Sequence, residues 1–208
     1  MAHSPGLAYS IHTPRLILRC WHPTDANLLQ REINENLEYL RPWMDWAQQE
    51  PESLEMKTER LRHFRDDFLS RREFVYGIFA PDGLRIIGGT GLHTRESKDA
   101  REIGYWIGRA HANKGLATES AAALTRVAFE VNRVERLEIR CDPRNRPSAR
   151  VADKLGYVHR ATLYGNKTDA EGRLRDTMVW SLDAEEYPDS HASSASVAVY
   201  NRGKIRIL

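Results

Sequence analysis

The residues of this 208-residue chain that could do chemistry fall into three groups, and the most informative is central. There Glu102-Ile-Gly-Tyr-Trp-Ile-Gly-Arg109 runs into Ala112-Asn-Lys-Gly-Leu-Ala-Thr118, an extended stretch followed by a loop of small residues and a helix start. Such a junction makes an anion site. The first amides of a helix have no acceptor one turn back, the helix dipole favours negative charge, and Gly115 with Ala117 lets a phosphate approach the backbone closely. Asn113, Lys114, Gly115, Leu116, Ala117 and Thr118 are therefore the candidate phosphate-binding residues. Small-residue turns before helices also serve as plain connections, so the loop alone is a weak signal. Neither Gly-x-x-x-x-Gly-Lys-Ser/Thr nor Gly-x-Gly-x-x-Gly occurs, which disfavours the two commonest phosphate-binding alternatives.

The second group could move protons. Glu102 opens the strand, and a carboxylate there could take a proton directly or through water; the plainer account is an edge carboxylate paired with a cation such as Arg101. His93, after the apolar Leu92, is a second base candidate ranked below Glu102, and it is also counted among the residues of the acceptor side. By residue type alone, Asn145 reads as a turn residue or helix N-cap before Pro147. The third group is Trp43, Asp45 and Trp46. Two flat apolar walls around one carboxylate could grip a chain end or a cationic small molecule, although tryptophans three apart also pack in ordinary cores. Eight histidines provide no His-Glu-x-x-His and no Cys/His pairing at ligand spacing, so no metal is expected. Cys20 and Cys141 are too few for a disulfide framework, and Cys141 alternates with Leu137 and Ile139 as a core residue would.

Composition bounds the class of protein that carries these groups. With 41% apolar residues the chain can bury one sizeable core, and 31 basic against 29 acidic residues leave no excess to drive nucleic-acid binding. No unbroken apolar run approaches the ~20 residues that span a bilayer, so a cytoplasmic protein without membrane contact is the expectation. Leu16 to Arg19 reads as a first strand, and two helices follow, over 25–39 and 53–72. Phe74–Ala80 and Leu84–Leu92 flank Pro81-Asp82-Gly83 as a hairpin, and Arg101–Ile107 is a further strand. A helix over 118–132, a strand over 137–141, a helix over 147–155 and a last strand over 178–182 complete the pattern. Residues 1–183 form the expected domain. The Ser/Ala-rich character from Ala184 onward makes 184–208 a tail, with Val197–Leu208 able to form a dimer contact.

The motifs resemble one family. Thr13-Pro-Arg-Leu-Ile-Leu-Arg19, Glu102-Ile-Gly-Tyr-Trp-Ile-Gly108, Lys114-Gly-Leu-Ala-Thr-Glu119 and Asn145-x-x-Ser148 through Lys154-Leu-Gly-Tyr157 occur in this order in GNAT acetyltransferases. Asn36-Leu-Glu-Tyr-Leu-Arg-Pro-Trp-Met-Asp-Trp46 is similar to a segment of the RimJ/RimL branch, which contains ribosomal-protein N-terminal acetyltransferases. The likeness covers about residues 12–183. One departure lies in the pyrophosphate loop, where Ala112 stands at a place usually filled by Gln or Arg.

The resemblance implies a mixed α/β fold, with a mostly antiparallel sheet, a splayed parallel strand pair and helices on both faces. It implies acetyl-CoA as co-substrate, with Trp106, Ile107 and Gly108 pairing to its pantetheine arm, 113–118 holding the pyrophosphate, and Asn145 near the thioester. It also implies Ser148 as the acid that protonates the departing thiolate, where the residues alone suggest a helix cap. The branch places a glutamate base before the last strand; here Thr168 or Asp169 stands nearest, and Asp169 or Glu102 is left for that role, with Tyr164 as another possible acid. The expected reaction is acetyl transfer to a primary amine by direct attack in a ternary complex, with a protein N-terminus as leading acceptor. A small amine such as an aminoglycoside, polyamine or amino-acid conjugate is the alternative, and a non-catalytic acetyl-CoA sensor a further one.

Overall fold

Sequence-local signals set most of the elements seen in the computed structural model, which describes residues 6–94 and 100–208. In chain order they are β1 (Ser10–His12), β2 (Ile17–Cys20), α1 (Ala26–Leu40), α2 (Leu54–Leu69), β3 (Phe74–Phe79), β4 (Ile86–Thr94), β5 (Ala100–Ile107), α3 (Leu116–Glu130), β6 (Arg136–Cys141), α4 (Arg146–Lys154), β7 (Val158–Thr168), β8 (Leu174–Asp183) and β9 (Ala198–Tyr200). Caps explain where two of the helices start. Ser53 Oγ accepts the amide of Met56 at 3.2 Å to open α2, and the Asn145 side chain accepts that of Ser148 at 3.2 Å to open α4.

Among the described residues the strands form one sheet in the order β7-β8-β6-β5-β4-β3-β2-β1-β9. Neighbours are antiparallel except β5 and β6, which run parallel. Alternation sorts side chains to two faces. Phe74, Tyr76 and Ile78 of β3 and Ile103 and Ile107 of β5 join the main core with Ala121, Leu124, Val127 and Ala128 of α3. Val75 and Phe79 of β3 and Trp106 of β5 turn the other way, toward Leu29 and Ile33 of α1 and Leu61 of α2. Helices thus cover both faces.

The pair β5–β6 is joined only at its beginning, Ala100↔Arg136, Arg101↔Leu137 and Glu102↔Glu138, although both strands continue beyond. They therefore splay, with Glu102 at the apex of the gap. A glycine row on β4 shapes the opposite edge of β5: a Cβ at Gly88 would collide with the carbonyl of Trp106, and one at Gly89 would lie 2.7 Å from its indole nitrogen. Gly88→Ala is expected to destabilise the fold by roughly 1–3 kcal/mol through forced backbone movement, read as a lower urea midpoint at unchanged m-value.

Two regions differ from the pattern expected above. β7 is an 11-residue edge strand, mostly exposed on both faces, so it lacks the alternation that marks a half-buried strand. Residues 184–208 are packed onto the domain: Tyr187, Ala192 and Val199 are buried in the main core, Tyr187 stacks on Phe129 with centroids 4.6 Å apart, and β9 pairs with β1. The small residues that make 190–196 read as a flexible stretch allow close turns here; Ser190 seats against Gly156, and Arg126 donates to the carbonyl of Ala195 at 2.7 Å.

Candidate active site

Two recesses meet where β5 and β6 part. The first, about 490 Å³, is lined by His111, Ala112, Asn113, Gly115, Leu116, Ala117 and Thr118, with Arg150, Val151 and Lys154 of α4 opposite. The second, about 400 Å³, lies on the α1/α2 face and includes Trp21, Ile33, Phe64, His93, Glu102, Trp106, Arg140 and Cys141. Trp43, Met44, Tyr105, Trp106, Asn145 and Ser148 line both, so a molecule can reach from one into the other.

The loop of the first recess has the conformation its residue types suggest. Asn113 sits at φ +60° and Gly115 at φ +75°, left-handed positions that asparagine tolerates and glycine favours. Gly115 caps α3, whose first amides at Leu116, Ala117 and Thr118 belong to the turn that lacks intrahelical acceptors. The Lys114 ammonium donates to the carbonyl of Ala110 at 2.8 Å, so what this residue offers the loop is backbone. Arg150 and Lys154, one turn apart on α4, are cations that the sequence reading missed, because their spacing reads only as a solvated helix face.

Remote residues hold this loop. Glu119 accepts from Thr13 Oγ1 at 2.6 Å, from the Arg15 amide at 3.0 Å and from Arg15 Nε at 2.6 Å, while Arg15 Nη1 donates to the Lys114 carbonyl at 2.9 Å. The Thr13-Pro-Arg15 signature is thus a brace for the start of α3. Asn36 of α1 does the same at the other end, its Oδ1 accepting the amide of Arg109 at 2.7 Å.

Of the three residues expected to pair with a pantetheine arm, Gly108 has both backbone groups engaged, its N–H donating to Ile87 O at 2.9 Å and its carbonyl accepting from His111 N at 2.8 Å. Antiparallel alternation then turns the backbone of Trp106 toward β4 as well and leaves the backbone groups of Tyr105 and Ile107 facing the gap. Trp106 contributes its indole, which lines both recesses and lies 6.1 Å from Trp46.

Ser148 stands at the junction. The Tyr105 hydroxyl lies 2.9 Å from Ser148 Oγ and 3.3 Å from its carbonyl, and burial pushes the Tyr105 phenol far above its ordinary range, so it stays protonated. When that proton points at Ser148 Oγ, the serine's own proton is free to face the cavity. Asn145 both caps α4 and lines both recesses. Cys141 is buried beside them as a core residue, with burial pushing its thiol up, and it also lines the second recess.

The acceptor side is bridged by ion pairs. Asp45 meets Lys167 Nζ at 3.2 Å, Glu102 meets Arg140 Nε at 3.8 Å, and Asp142 holds Arg144 and Arg175. Burial raises the Asp142 carboxyl, but hydrogen bonds from Arg144 and Arg175 outweigh it and hold the group well below the usual carboxylate range. Lys167, one residue before Thr168, lines the second recess. Asp169 instead closes the β7–β8 turn, accepting from Arg173 Nε at 2.9 Å and from its amide at 2.8 Å. It lines, with Thr168, a third recess of about 680 Å³ that the second joins at Trp43, Asp45 and Arg175. Tyr164 is 82% exposed on β7, away from the junction; Tyr105 is the phenol at Ser148. Among the described residues no helix is long and apolar enough to cross a membrane, and no three His, Cys, Asp or Glu side chains gather as a metal set.

A splayed parallel pair, an amide-rich loop opening a helix in that gap and a serine at its inner end define an acyl-CoA-dependent transferase. The family described as "Acetyltransferase (GNAT) domain" matches residues 15–158, and the chain belongs to it, an acetyl-CoA-dependent N-acetyltransferase. It is 29% identical over 150 residues to the [ribosomal protein uS5]-alanine N-acetyltransferase of Escherichia coli, covering 70% of this chain and 76% of that one. It is 27% identical over 184 residues to the N-acetyltransferase p20 of Bacillus licheniformis, covering 86% and 98%. The fold is shared with Mycobacterium smegmatis RimJ in complex with CoA-disulfide, TM-score 0.75 at 24% identity over 88% and 90% of the chains. RimL, the ribosomal L7/L12 α-N-protein acetyltransferase in complex with coenzyme A, superposes with TM-score 0.76 at 20% identity over 82% and 95%. The residues present suit such a ligand: outward amides for phosphates, cations at Arg150 and Lys154, and an open strand edge.

The brace on the loop gives a direct expectation. Glu119→Ala releases Thr13 and Arg15 together and should weaken acetyl-CoA binding about tenfold, measured by calorimetry, since losing a charge-assisted set costs on the order of 1.5–3 kcal/mol, only part of which reaches the ligand.

Proposed function

We propose that this chain acetylates the N-terminal α-amino group of a protein, of the ribosomal-protein class, by direct attack in a ternary complex. The observation that carries the reading is the continuity of the second recess with the third: beyond Trp43, Asp45 and Arg175 a surface trough runs between residues 38–48 and the β7–β8 hairpin. A polypeptide needs room behind its first residue; a small amine does not. The uS5-alanine acetyltransferase likeness supports the same acceptor class.

Acetyl-CoA supplies the acetyl group as a thioester. Residues 113–118 hold its phosphates by backbone amides, and Asn145 stands where the thioester would lie. Trp43, Asp45 and Trp46 frame the entry of the chain end. Glu102, at the apex of the splayed strands, attracts the amine and draws off its proton directly or through water. An α-amino group, with a pKa near ~8, surrenders that proton more readily than a lysine near ~10.4. Ser148, fixed by Tyr105, gives its proton to the departing thiolate.

Release of CoA thiol across a panel of free N-terminal peptides, aminoglycosides and polyamines tests the acceptor class. Turnover on peptides beginning with Ala or Ser is the expected result. Turnover confined to small amines would move the acceptor assignment to that class, and tight acetyl-CoA binding with no turnover would favour a sensor.

A further inference from the structure

The second recess is lined by a histidine that the reaction as described does not use, and a carboxylate outside the lining holds its ring. His93 of β4 is directly opposite Glu102 across the β4–β5 ladder, on the same face of the sheet. Its Nδ1 lies 2.8 Å from Oε2 of Glu73, just before β3. Its other edge is laid across the sheet: Nε2 stands 2.8 Å from where a Cβ on Gly91 would be and 3.3 Å from one on Gly104. Gly91 and Gly104 are themselves a cross-strand pair, so the missing side chains make the slot that the imidazole fills beside Glu102. His93 and Glu102 line the same recess as Ser148.

A carboxylate on Nδ1 selects the tautomer with the proton on that nitrogen, which leaves the lone pair on Nε2, the nitrogen laid over the Gly91–Gly104 pair. We infer that His93 is the group on which the amine's proton comes to rest, and that Glu73 is its positioning residue. This rests on the amine-acetylation reading above and adds the route of the proton. The bond from the amine nitrogen to its hydrogen breaks as nitrogen attacks the acetyl carbonyl; the proton passes, through Glu102 or a water, to Nε2; Nδ1–H stays on Glu73. The imidazolium then discharges to solvent, since the His93 side chain is partly exposed. Both partners of a strand pair share the work: Glu102 receives the amine, and His93 removes the charge.

Other charged groups share the recess and must be separated from this pair in any pH profile. They are Glu102 with Arg140 from β5 and β6, Asp45 with Lys167, Asp142 with Arg175, and Glu50, Lys57 and Arg60 on the helical side. Arg101, whose guanidinium bonds the Arg72 carbonyl and Thr94 Oγ1, is at the strand end.

The test measures kcat and KM against pH for His93→Gln, His93→Gly with and without added imidazole, and Glu73→Gln, on whichever amine the wild-type protein turns over. Loss of the group on which the proton comes to rest predicts a fall in kcat of about 10²-fold for His93→Gln with KM for acetyl-CoA unchanged. Imidazole should restore part of the His93→Gly activity, because the slot over Gly91 and Gly104 is then open. Glu73→Gln should lower kcat as well, because the ring loses the acceptor that fixes its tautomer. A His93→Gln kcat within about threefold of wild type would overturn the inference; so would a loss that imidazole does not rescue, or a Glu73→Gln kcat equal to wild type. Nitrogen-15 spectra of His93 decide the pair independently of activity: Nδ1-protonated neutral imidazole is expected, and an Nε2-protonated ring overturns it. If no amine is turned over, the amine-acetylation reading has failed, whereas the spectra still judge the pair.

Discussion

Ser148→Ala is expected to lower kcat by about 10²- to 10³-fold at saturating substrates while leaving acetyl-CoA affinity within about twofold, measured by CoA-thiol release and calorimetry. The asymmetry follows from where the side chain acts. Its backbone amide is already engaged by Asn145, so alanine keeps the start of α4 intact. Only the hydroxyl is lost, and with it the proton that the proposed mechanism gives to the departing thiolate. Tyr105→Phe should show a milder version, about tenfold in kcat, because it leaves the serine in place but frees its rotor. A Ser148→Ala enzyme of near-normal kcat would remove the serine from the chemistry and leave it as a helix-capping residue.

Lys57→Met is expected to have the largest effect on stability, about 3–5 kcal/mol, because it strands buried carboxylates. The Lys57 ammonium side chain is 1% exposed and is bonded to Glu50 and, at 3.0 Å, to Glu52; Glu52 also receives Arg60. For a chain of this length that loss corresponds to a melting temperature lower by roughly 6–20 °C. This cluster fixes the chain just after Trp43, Asp45 and Trp46: Arg41 donates to the Glu50 carbonyl at 2.8 Å and Gln30 to that of Glu52 at 2.8 Å. The sign of the pH effect follows from Glu52. Burial raises its carboxyl, but bonds from Arg60 and Lys57 outweigh this and leave it below the ordinary value. A group depressed on folding contributes stability above its unfolded pKa, and that contribution is lost as pH falls through the folded value. The deficit of Lys57→Met, measured by urea unfolding, should therefore shrink at acid pH, where the stranded carboxylates become neutral.

What could be seen in the sequence was local in cause. The loop at Asn113 and Gly115 declares itself because left-handed backbone selects those residue types, and α3 because its apolar face repeats at helical spacing. The helix caps at Ser53 and Asn145 are equally local. What was hidden depends on sheet order. Tyr105 meets Ser148 across 43 residues only because β5 and β6 run parallel and then diverge. Glu73 reaches His93 because β3 and β4 are neighbours. The brace from Thr13 and Arg15 to Glu119 spans more than 100 residues, so the first motif looks like nothing but the approach to a strand until the fold closes. β7 carries no burial rhythm at the sheet edge, and the small residues of 190–196 have the composition of a linker while packing against α3. At the place where the resemblance implies a glutamate, Thr168 and Asp169 line the third recess, Asp169 held in its turn by Arg173, and only the closed fold shows this.

Whether the proposed transfer goes to an α-amino nitrogen is read by incubating the protein with acetyl-CoA and a peptide carrying one free N-terminal amine and one internal lysine, then locating the acetyl group by fragmentation mass spectrometry. Acetylation of the N-terminal nitrogen alone, absent in Ser148→Ala on the same time scale, is the predicted result. Acetyl on the lysine side chain, or an unmodified peptide beside rapid acetylation of small amines, would contradict it.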